Sequence, residues 1–357
     1  MAEQRAERRI VTLRRLDEAQ LERLRQIAVV DAFEDLNETN QAQFMEALSR
    51  AHGLVGGKLE LDEVMLDKAP SLEVVSTISV GYDHLPLAAM NERGILLCNT
   101  PDVLTETTAD TAFALIMATQ RRLVELSNMV REGHWTAHVD REHFGSDVHG
   151  KTLGIVGAGR IGAAIARRGA LGFGMPILYT ANSAKPELEA ELDARHCSLD
   201  ELLSRADIVC LVVPYNADTH HLMDAGALAR MKPNAALINV ARGKVVDESA
   251  LVEALERGVI RAAGLDVFAE EPLPATSPLA AMDNVVVLPH IGSATHETRD
   301  AMARRAVDNI IGALAGEGPV SAVNEHRWRH YQQNQDQQDQ QDQHQPHRHH
   351  RSTEDNA

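Results

Sequence analysis

The chain has 357 residues, 44% of them hydrophobic, and a formal net charge of −17. That length holds two domains with real cores, and the acidic balance argues against nucleic acid or an anionic membrane as a partner. No apolar run reaches bilayer-spanning length and no apolar signal region follows the charged stretch Met1 to Arg9, so a cytoplasmic protein is expected.

Along the chain, strand-like runs alternate with helical patterns. Ile10 to Leu13 reads as a strand, Glu18 to Gln26 as a helix, and Ile27 to Val30 as a second strand. Gln41 to Ala51 is helical and Gly53 to Gly56 is a third strand. Leu72 to Ser79 is a β-branched run, turned by Gly81-Tyr82-Asp83. Strands separated by helices imply a parallel sheet covered on both faces. This region carries no phosphate loop, so it reads as a separate, smaller domain. Glu106 to Arg131 predicts one long helix opened by Thr105 as N-cap.

The segment Leu153 to Gly162 is the most informative. A buried strand ends in Gly157-Ala158-Gly159-Arg160-Ile161-Gly162 and runs into a helix, Ala163 to Ala170, with a second strand at Pro176 to Thr180. In a βαβ unit the first glycine makes the tight turn. The second lets the backbone approach a pyrophosphate, and the third lets helix and strand pack closely. The helix N-terminus then offers N–H groups to the phosphates. With strand before and helix after, the pattern implies dinucleotide binding.

Further strands follow at Ala206 to Val213, stopped by Pro214, then Ala235 to Val240, Ala262 to Val267 and Asn284 to Leu288. A helix is expected at Glu248 to Arg257, and another at Glu297 to Leu314 that returns to the first domain. Beyond Asn324 the composition turns to Gln, Asp and His, with nothing to bury, and a disordered tail at 325–357 is expected. Its histidines are dispersed. The set His134, His138, His143 and His149 lacks a matching Glu or Cys constellation, so no metal site is expected. Cys98, Cys197 and Cys210 lie far apart in apolar surroundings and read as reduced core residues.

Three predicted strands end near charged residues: Arg242 after the first, Asp266 and Glu271 after the second, His290 after the third. In an open parallel sheet the ligand crevice lies outside the carboxyl ends of the strands, so all would face a bound cofactor. Arg242 is a permanently charged fork suited to a carboxylate. His290 can pass a proton at neutral pH, and Glu271 can orient it and favour its charged form. Beside a nicotinamide, that set is what reduction of a 2-oxo acid requires.

At these residues the chain resembles a family. Val156 to Gly162, Asn239-Val240-Ala241-Arg242-Gly243, Gly264 to Phe268 with Glu271-Pro272, and Pro289 to Thr295 look like the D-2-hydroxyacid dehydrogenases, over about residues 10 to 324. Thr77 to Asp83, Leu104 to Thr107 and His290 to Thr298 look most like the bacterial glyoxylate/hydroxypyruvate and 2-ketogluconate reductases. The resemblance implies two doubly wound parallel-sheet domains, flavodoxin-like and Rossmann, with a cleft between them. It places the substrate domain at 1–104 and 295–324 and the cofactor domain at 105–294. It implies Arg242, Glu271 and His290 as the catalytic set and the backbone at Val80 and Gly81 as a holder of the substrate carboxylate. Thr108, Pro214, Ala241, Asp266 and Gly292 match cofactor-contacting positions. A homodimer joined through the cofactor domain and the arm around Trp135 to Phe144 is implied as well.

The chain departs from its NADPH-preferring relatives just after the second strand of the cofactor domain. It has Asn182 and Ser183 where they carry arginines. No acid appears before Glu187 to repel a 2′-phosphate, and Asn182, Ser183 and Lys185 can donate hydrogen bonds to one. A mild preference for NADPH over NADH is expected. Alternatives are another activity of the family, D-3-phosphoglycerate or phosphite oxidation, and a non-catalytic cofactor-sensing binding protein. The complete Arg, Glu and His set favours catalysis.

Overall fold

A computed structural model describes residues 8–14 and 16–330. These divide into two compact units, one built from residues up to Thr100 and from Met302 on, the other spanning Pro101–Ala301. Each is a parallel sheet with helices on both faces, the doubly wound class.

The first unit holds β1 (Arg9–Leu13), β2 (Val29–Phe33), β3 (Gly53–Gly56), β4 (Val74–Thr77) and β5 (Leu96–Cys98) in the order β2-β1-β3-β4-β5. All pairs are parallel, the flavodoxin-like order. Its strands are buried on both faces, so successive residues feed different cores. Ile10 joins one apolar cluster, and Val11 and Leu13 join the other. The second strand starts later than expected, because the N–H groups of Ile27 and Ala28 bond back to the Leu24 carbonyl and finish helix α1 (Glu18–Arg25). The expected helix at Gln41 is α2 (Gln41–Leu48). Two short helices, α3 (Glu63–Asp67) and α4 (Leu87–Glu92), and β5 carry too few residues to give a periodic signal.

In the second unit, the expected single helix is two: α5 (Thr105–Gln120) and α6 (Leu123–Arg131). Arg122 has a left-handed backbone, φ +55°, and the Gln120 carbonyl accepts the N–H of Ser146 where the chain returns. A Cβ on Gly145 would stand 2.5 Å from that carbonyl, so the returning segment packs directly on the break. No proline or glycine marks the site in the sequence. Thr105 is the first helical residue and not the cap, which falls on Leu104 without a side-chain bond.

The strands here are β6 (Leu153–Val156), β7 (Ile177–Thr180), β8 (Arg195–His196), β9 (Ile208–Leu211), β10 (Ala236–Asn239), β11 (Ala262–Leu265) and β12 (Val285–Val287). Their order is β12-β11-β10-β9-β6-β7-β8, all parallel. Within this unit that is the Rossmann order with a seventh strand, and the direction of winding reverses between β6 and β9. The helices are α7 (Arg160–Arg167), which starts earlier than expected and runs on as a π turn at Arg168–Gly172, α8 (Pro186–Leu192), α9 (Leu199–Arg205), α10 (Ala225–Arg230) and α11 (Glu248–Glu256). The helix α12 (His296–Ala315) starts in this unit and continues into the first, where Ala306, Val307 and Ile310 join the cluster of Ile10.

Residues 325–330 are helical and Trp328 packs on that same cluster, so order extends past Asn324, where composition alone predicts a tail. One indole supplies the apolar contact that the rest of the segment lacks. The Gln/Asp/His-rich stretch from Gln332 lies outside the described residues. Cys98, Cys197 and Cys210 are buried free thiols, and burial pushes Cys98 and Cys210 up to about 12. Among the described residues no helix is long and apolar enough to cross a membrane.

Candidate active site

The glycine loop leaves β6 at the switch point. Gly157 has φ +104°, and a Cβ there would lie 2.7 Å from the carbonyl oxygen of Val212, just after β9 and two residues before Pro214. A Cβ on Gly162 would lie 2.2 Å from the Gly157 carbonyl oxygen, so this glycine lets α7 close against the loop. Gly159 is different: nothing of the protein lies within 4 Å of its would-be Cβ. It is the N-cap of α7 and no side chain caps the helix. Two glycines are therefore demanded by the chain's own packing. The middle one keeps open the space before an uncapped helix N-terminus, which is where a pyrophosphate sits. The residues fit a dinucleotide.

Beside the loop lies a pocket of about 530 Å³ whose lining includes Gly159, Arg160, Leu188 and Lys185, but neither Asn182 nor Ser183. Arg160 is paired with Asp102 at 2.7 Å, so its backbone is the part presented at the helix start. The segment after β7 is anchored by Tyr179, fully buried, whose hydroxyl accepts the Lys185 N–H at 2.6 Å and donates to Glu189 at 2.7 Å. Lys185 Nζ in turn donates to the Ser183 hydroxyl at 3.3 Å. The sequence does not single out Tyr179, because its alternation within β7 gives no hint of the hydroxyl's role.

At the far side of the switch point, three strand-end loops converge. After β10, Asn239 is 1% exposed. Its Oδ1 accepts the Ala241 N–H at 3.0 Å and its Nδ2 donates to the Arg242 carbonyl at 2.9 Å. After β11, Asp266, 2% exposed, accepts the N–H groups of Ile291 and Gly292 at 2.7 and 2.8 Å, gripping the loop that follows β12. Burial pushes the Asp266 carboxyl above its ordinary value, against the pull of those two N–H groups and of His290. A Cβ on Gly292 would contact both Asp266 and Thr108, so these three positions lie together.

His290 sits immediately before the gripped pair, with a left-handed backbone at φ +56°. That conformation is uncommon for a residue with a side chain and needs surroundings that hold it. Its Nδ1 lies 2.8 Å from Glu271 Oε2, and Glu271 Oε1 accepts the Phe268 N–H at 3.1 Å. Burial alone would raise the Glu271 carboxyl. The His290 hydrogen bond, the Phe268 N–H and the charges of His290 and Arg242 outweigh it and hold the group below its ordinary value. Gly243 closes the cluster, because its Cβ would fall 1.8 Å from the Phe268 carbonyl carbon, so the Arg242 loop lies directly on the Phe268–Ala269 peptide. The sequence motif contains Asn239 and Gly243 but gives neither a role. A polar residue ending an otherwise apolar strand is the signal that could have found Asn239.

In the first unit, the segment after β4 carries Val80 and Gly81. Asn99 Nδ2 donates to the Val80 carbonyl at 2.9 Å, and the Ser79 hydroxyl donates to the Gly81 carbonyl at 2.6 Å. Both carbonyls are thus occupied. Among the described residues no hydrogen bond takes the N–H of either residue. No group of His, Cys, Asp and Glu that could hold a metal ion occurs among the described residues.

Residues 113–292 match the sequence profile of the D-isomer specific 2-hydroxyacid dehydrogenase NAD-binding domain. The chain belongs to the D-isomer-specific 2-hydroxyacid dehydrogenase family. Among curated relatives, it is 52% identical to glyoxylate/hydroxypyruvate reductase B of Escherichia fergusonii over 315 residues, covering 88% of this chain and 97% of the relative. Among solved structures, a protein from Thermus thermophilus superposes with TM-score 0.81 at 43% identity, covering 88% of this chain and 99% of its own. An NADPH-dependent glyoxylate/hydroxypyruvate reductase from Sinorhizobium meliloti, in complex with NADP and malonate, does so with TM-score 0.77 at 34% identity, covering 90% and 98%. Membership in this dehydrogenase family agrees with the glycine loop and with the strand-end cluster of charged residues.

Proposed function

We propose that the protein reduces small 2-oxo acids, glyoxylate and hydroxypyruvate first among them, to D-2-hydroxy acids. The Glu271–His290 pair, held at 2.8 Å in loops that follow strands of the sheet carrying the dinucleotide loop, is the observation that carries this reading. NADPH or NADH, when bound, supplies the hydride that reaches the carbonyl carbon. The protein's own part is binding and proton transfer. Arg242 holds the substrate carboxylate through its guanidinium fork. His290, charged and hydrogen-bonded through Nδ1 to Glu271, gives the Nε2 proton to the oxygen that becomes the hydroxyl. Glu271 keeps the ring oriented and favours the imidazolium. The N–H groups of Val80 and Gly81 donate to carboxylate oxygens. Asp266, Thr108, Ala241, Pro214 and Gly292 would contact the bound cofactor, and the Gly157–Gly162 loop would hold its pyrophosphate. Lys185, Ser183 and Asn182 serve a 2′-phosphate, which makes NADPH the mildly preferred coenzyme.

By resemblance the substrate range extends to 2-keto-D-gluconate, and the protein works in the cytoplasm as a homodimer. The apolar exposure of Trp135 at 60% and Phe144 at 61%, with Leu123 and Val130 on the neighbouring helix, supports an interface on this arm. The deciding experiment is a substrate panel with both reduced coenzymes, run on the wild type and Arg242→Ala. Losing two charge-assisted bonds should lower kcat/KM for glyoxylate by about a hundredfold. Equal turnover of aldehydes lacking a neighbouring carboxylate would refute the anchoring role.

A further inference from the structure

The residue that ends β10 has no role in the chemistry just described, yet its placement is unusual. Ala236, Leu237 and Ile238 are fully buried and apolar, and Asn239 follows at 1% exposure. A buried amide is costly unless its hydrogen bonds are made. Here both ends of the amide are spent on one short loop. Oδ1 accepts the N–H of Ala241 at 3.0 Å and Nδ2 donates to the carbonyl of Arg242 at 2.9 Å. The two bonds bracket Arg242, one on the residue before it and one on its own carbonyl. The Asn239 carbonyl, meanwhile, accepts the N–H of Asp266 at 3.0 Å, which ties the same residue to the strand end that grips the His290 loop. Gly243, the residue after Arg242, packs directly against the Phe268–Ala269 peptide.

We propose that Asn239 is a positioning residue for the reaction, setting the backbone of Arg242 and so the place where its guanidinium meets the substrate carboxylate. The inference rests on the reading of Arg242 as the carboxylate holder. Any polar clamp stabilises a loop. This one brackets the single residue whose long side chain carries a small backbone rotation out to the substrate, where a displacement near 1 Å is costly. Aspartate in its place keeps the acceptor for Ala241 but turns a second acceptor toward the Arg242 carbonyl. Alanine loses both bonds.

The test is a double-mutant cycle on the full chain, with Asn239→Ala and Asn239→Asp each made in the wild type and in Arg242→Ala. In the wild type, kcat/KM for glyoxylate should fall about 30-fold, mostly through KM. The dissociation constant for NADPH, read by fluorescence, should rise by no more than about fivefold, because the phosphate loop is untouched and only the Ala241 contact is disturbed. In Arg242→Ala the same substitutions should change kcat/KM by less than about threefold, since the group being positioned is gone. Equal losses in both backgrounds, no loss in the wild type, or a matching loss of NADPH affinity would each overturn the proposal. Should Asn239→Ala not fold, Asn239→Asp, which retains one of the two bonds, completes the cycle. If Arg242→Ala itself leaves kcat/KM unchanged, the carboxylate reading fails and the proposal with it. If Arg242→Ala is impaired but the cycle is additive, only the role of Asn239 fails.

Discussion

Replacing Glu271 with glutamine removes one charge beside His290 and keeps an acceptor for Nδ1. The Nδ1···Oε2 distance is 2.8 Å, which puts the centres of charge about 4 Å apart. At that separation a unit pair is worth about 1 kcal/mol in water and about 4 kcal/mol at an effective dielectric of 20. The imidazole side chain is 48% exposed and the carboxylate 29%, so solvent screening draws the value to roughly 1.5–2.5 kcal/mol. The sign follows from the direction of proton transfer. Reduction consumes a proton held on the imidazolium, so kcat/KM falls as pH rises and the ring discharges. The carboxylate favours the charged ring and keeps the enzyme active to higher pH. Glu271→Gln should therefore move the fall in kcat/KM to lower pH, with the acidic plateau changed only a few-fold. The assay is kcat/KM for glyoxylate from acid to alkaline pH, for the wild type, Glu271→Gln and His290→Ala. In His290→Ala most of kcat and the fall itself should disappear. A Glu271→Gln profile that stays in place or moves to higher pH refutes the pairing as a catalytic device.

The glycine loop separates packing from binding. Gly162→Ala puts a methyl against backbone and should cost about 3 kcal/mol of stability, whereas Gly159→Ala should leave the melting temperature nearly unchanged and weaken NADPH binding about tenfold or more; a cofactor affinity unaffected by Gly159→Ala would count against the pyrophosphate placement. Binding titrations should show NADPH held somewhat more tightly than NADH, with Lys185→Ala narrowing the gap, and a strong NADH preference would overturn the 2′-phosphate assignment. Asp207 predicts an acid-stability effect. Burial opposes its charge, but Lys232 at 2.8 Å and the Thr152 N–H at 2.9 Å outweigh burial and hold the carboxyl below its ordinary value. A carboxyl lowered on folding lends its full stabilisation above its unfolded value, near pH 4, and loses it as pH falls through the folded value. Melting temperature should thus drop more steeply below about pH 4 in the wild type than in Asp207→Asn, and parallel curves would show that the pair contributes nothing.

The sequence by itself determined the two doubly wound units, because strands buried on both faces must be continuous apolar runs and the helices between them must be amphipathic. It also determined the dinucleotide loop, since Gly157 and Gly162 occupy positions where a Cβ would strike backbone, a requirement that no other residue type meets. Arg242, Glu271 and His290 were legible as charged residues near strand ends. What the tertiary structure decided is how they are held. The break at Arg122 depends on a segment returning from Gly145, more than twenty residues away, and leaves no local mark. The order of 325–330 depends on one indole finding a core formed by β1 and the return helix. Asp266 becomes a clamp only when the loop after β12 is brought within 3 Å of its carboxylate, whereas the Asn239 amide closes on the loop that follows its own strand and needs the tertiary structure only to bury it. Burial turns an amide or a carboxylate into a fixed positioning device, and burial is set by what the rest of the chain places around it.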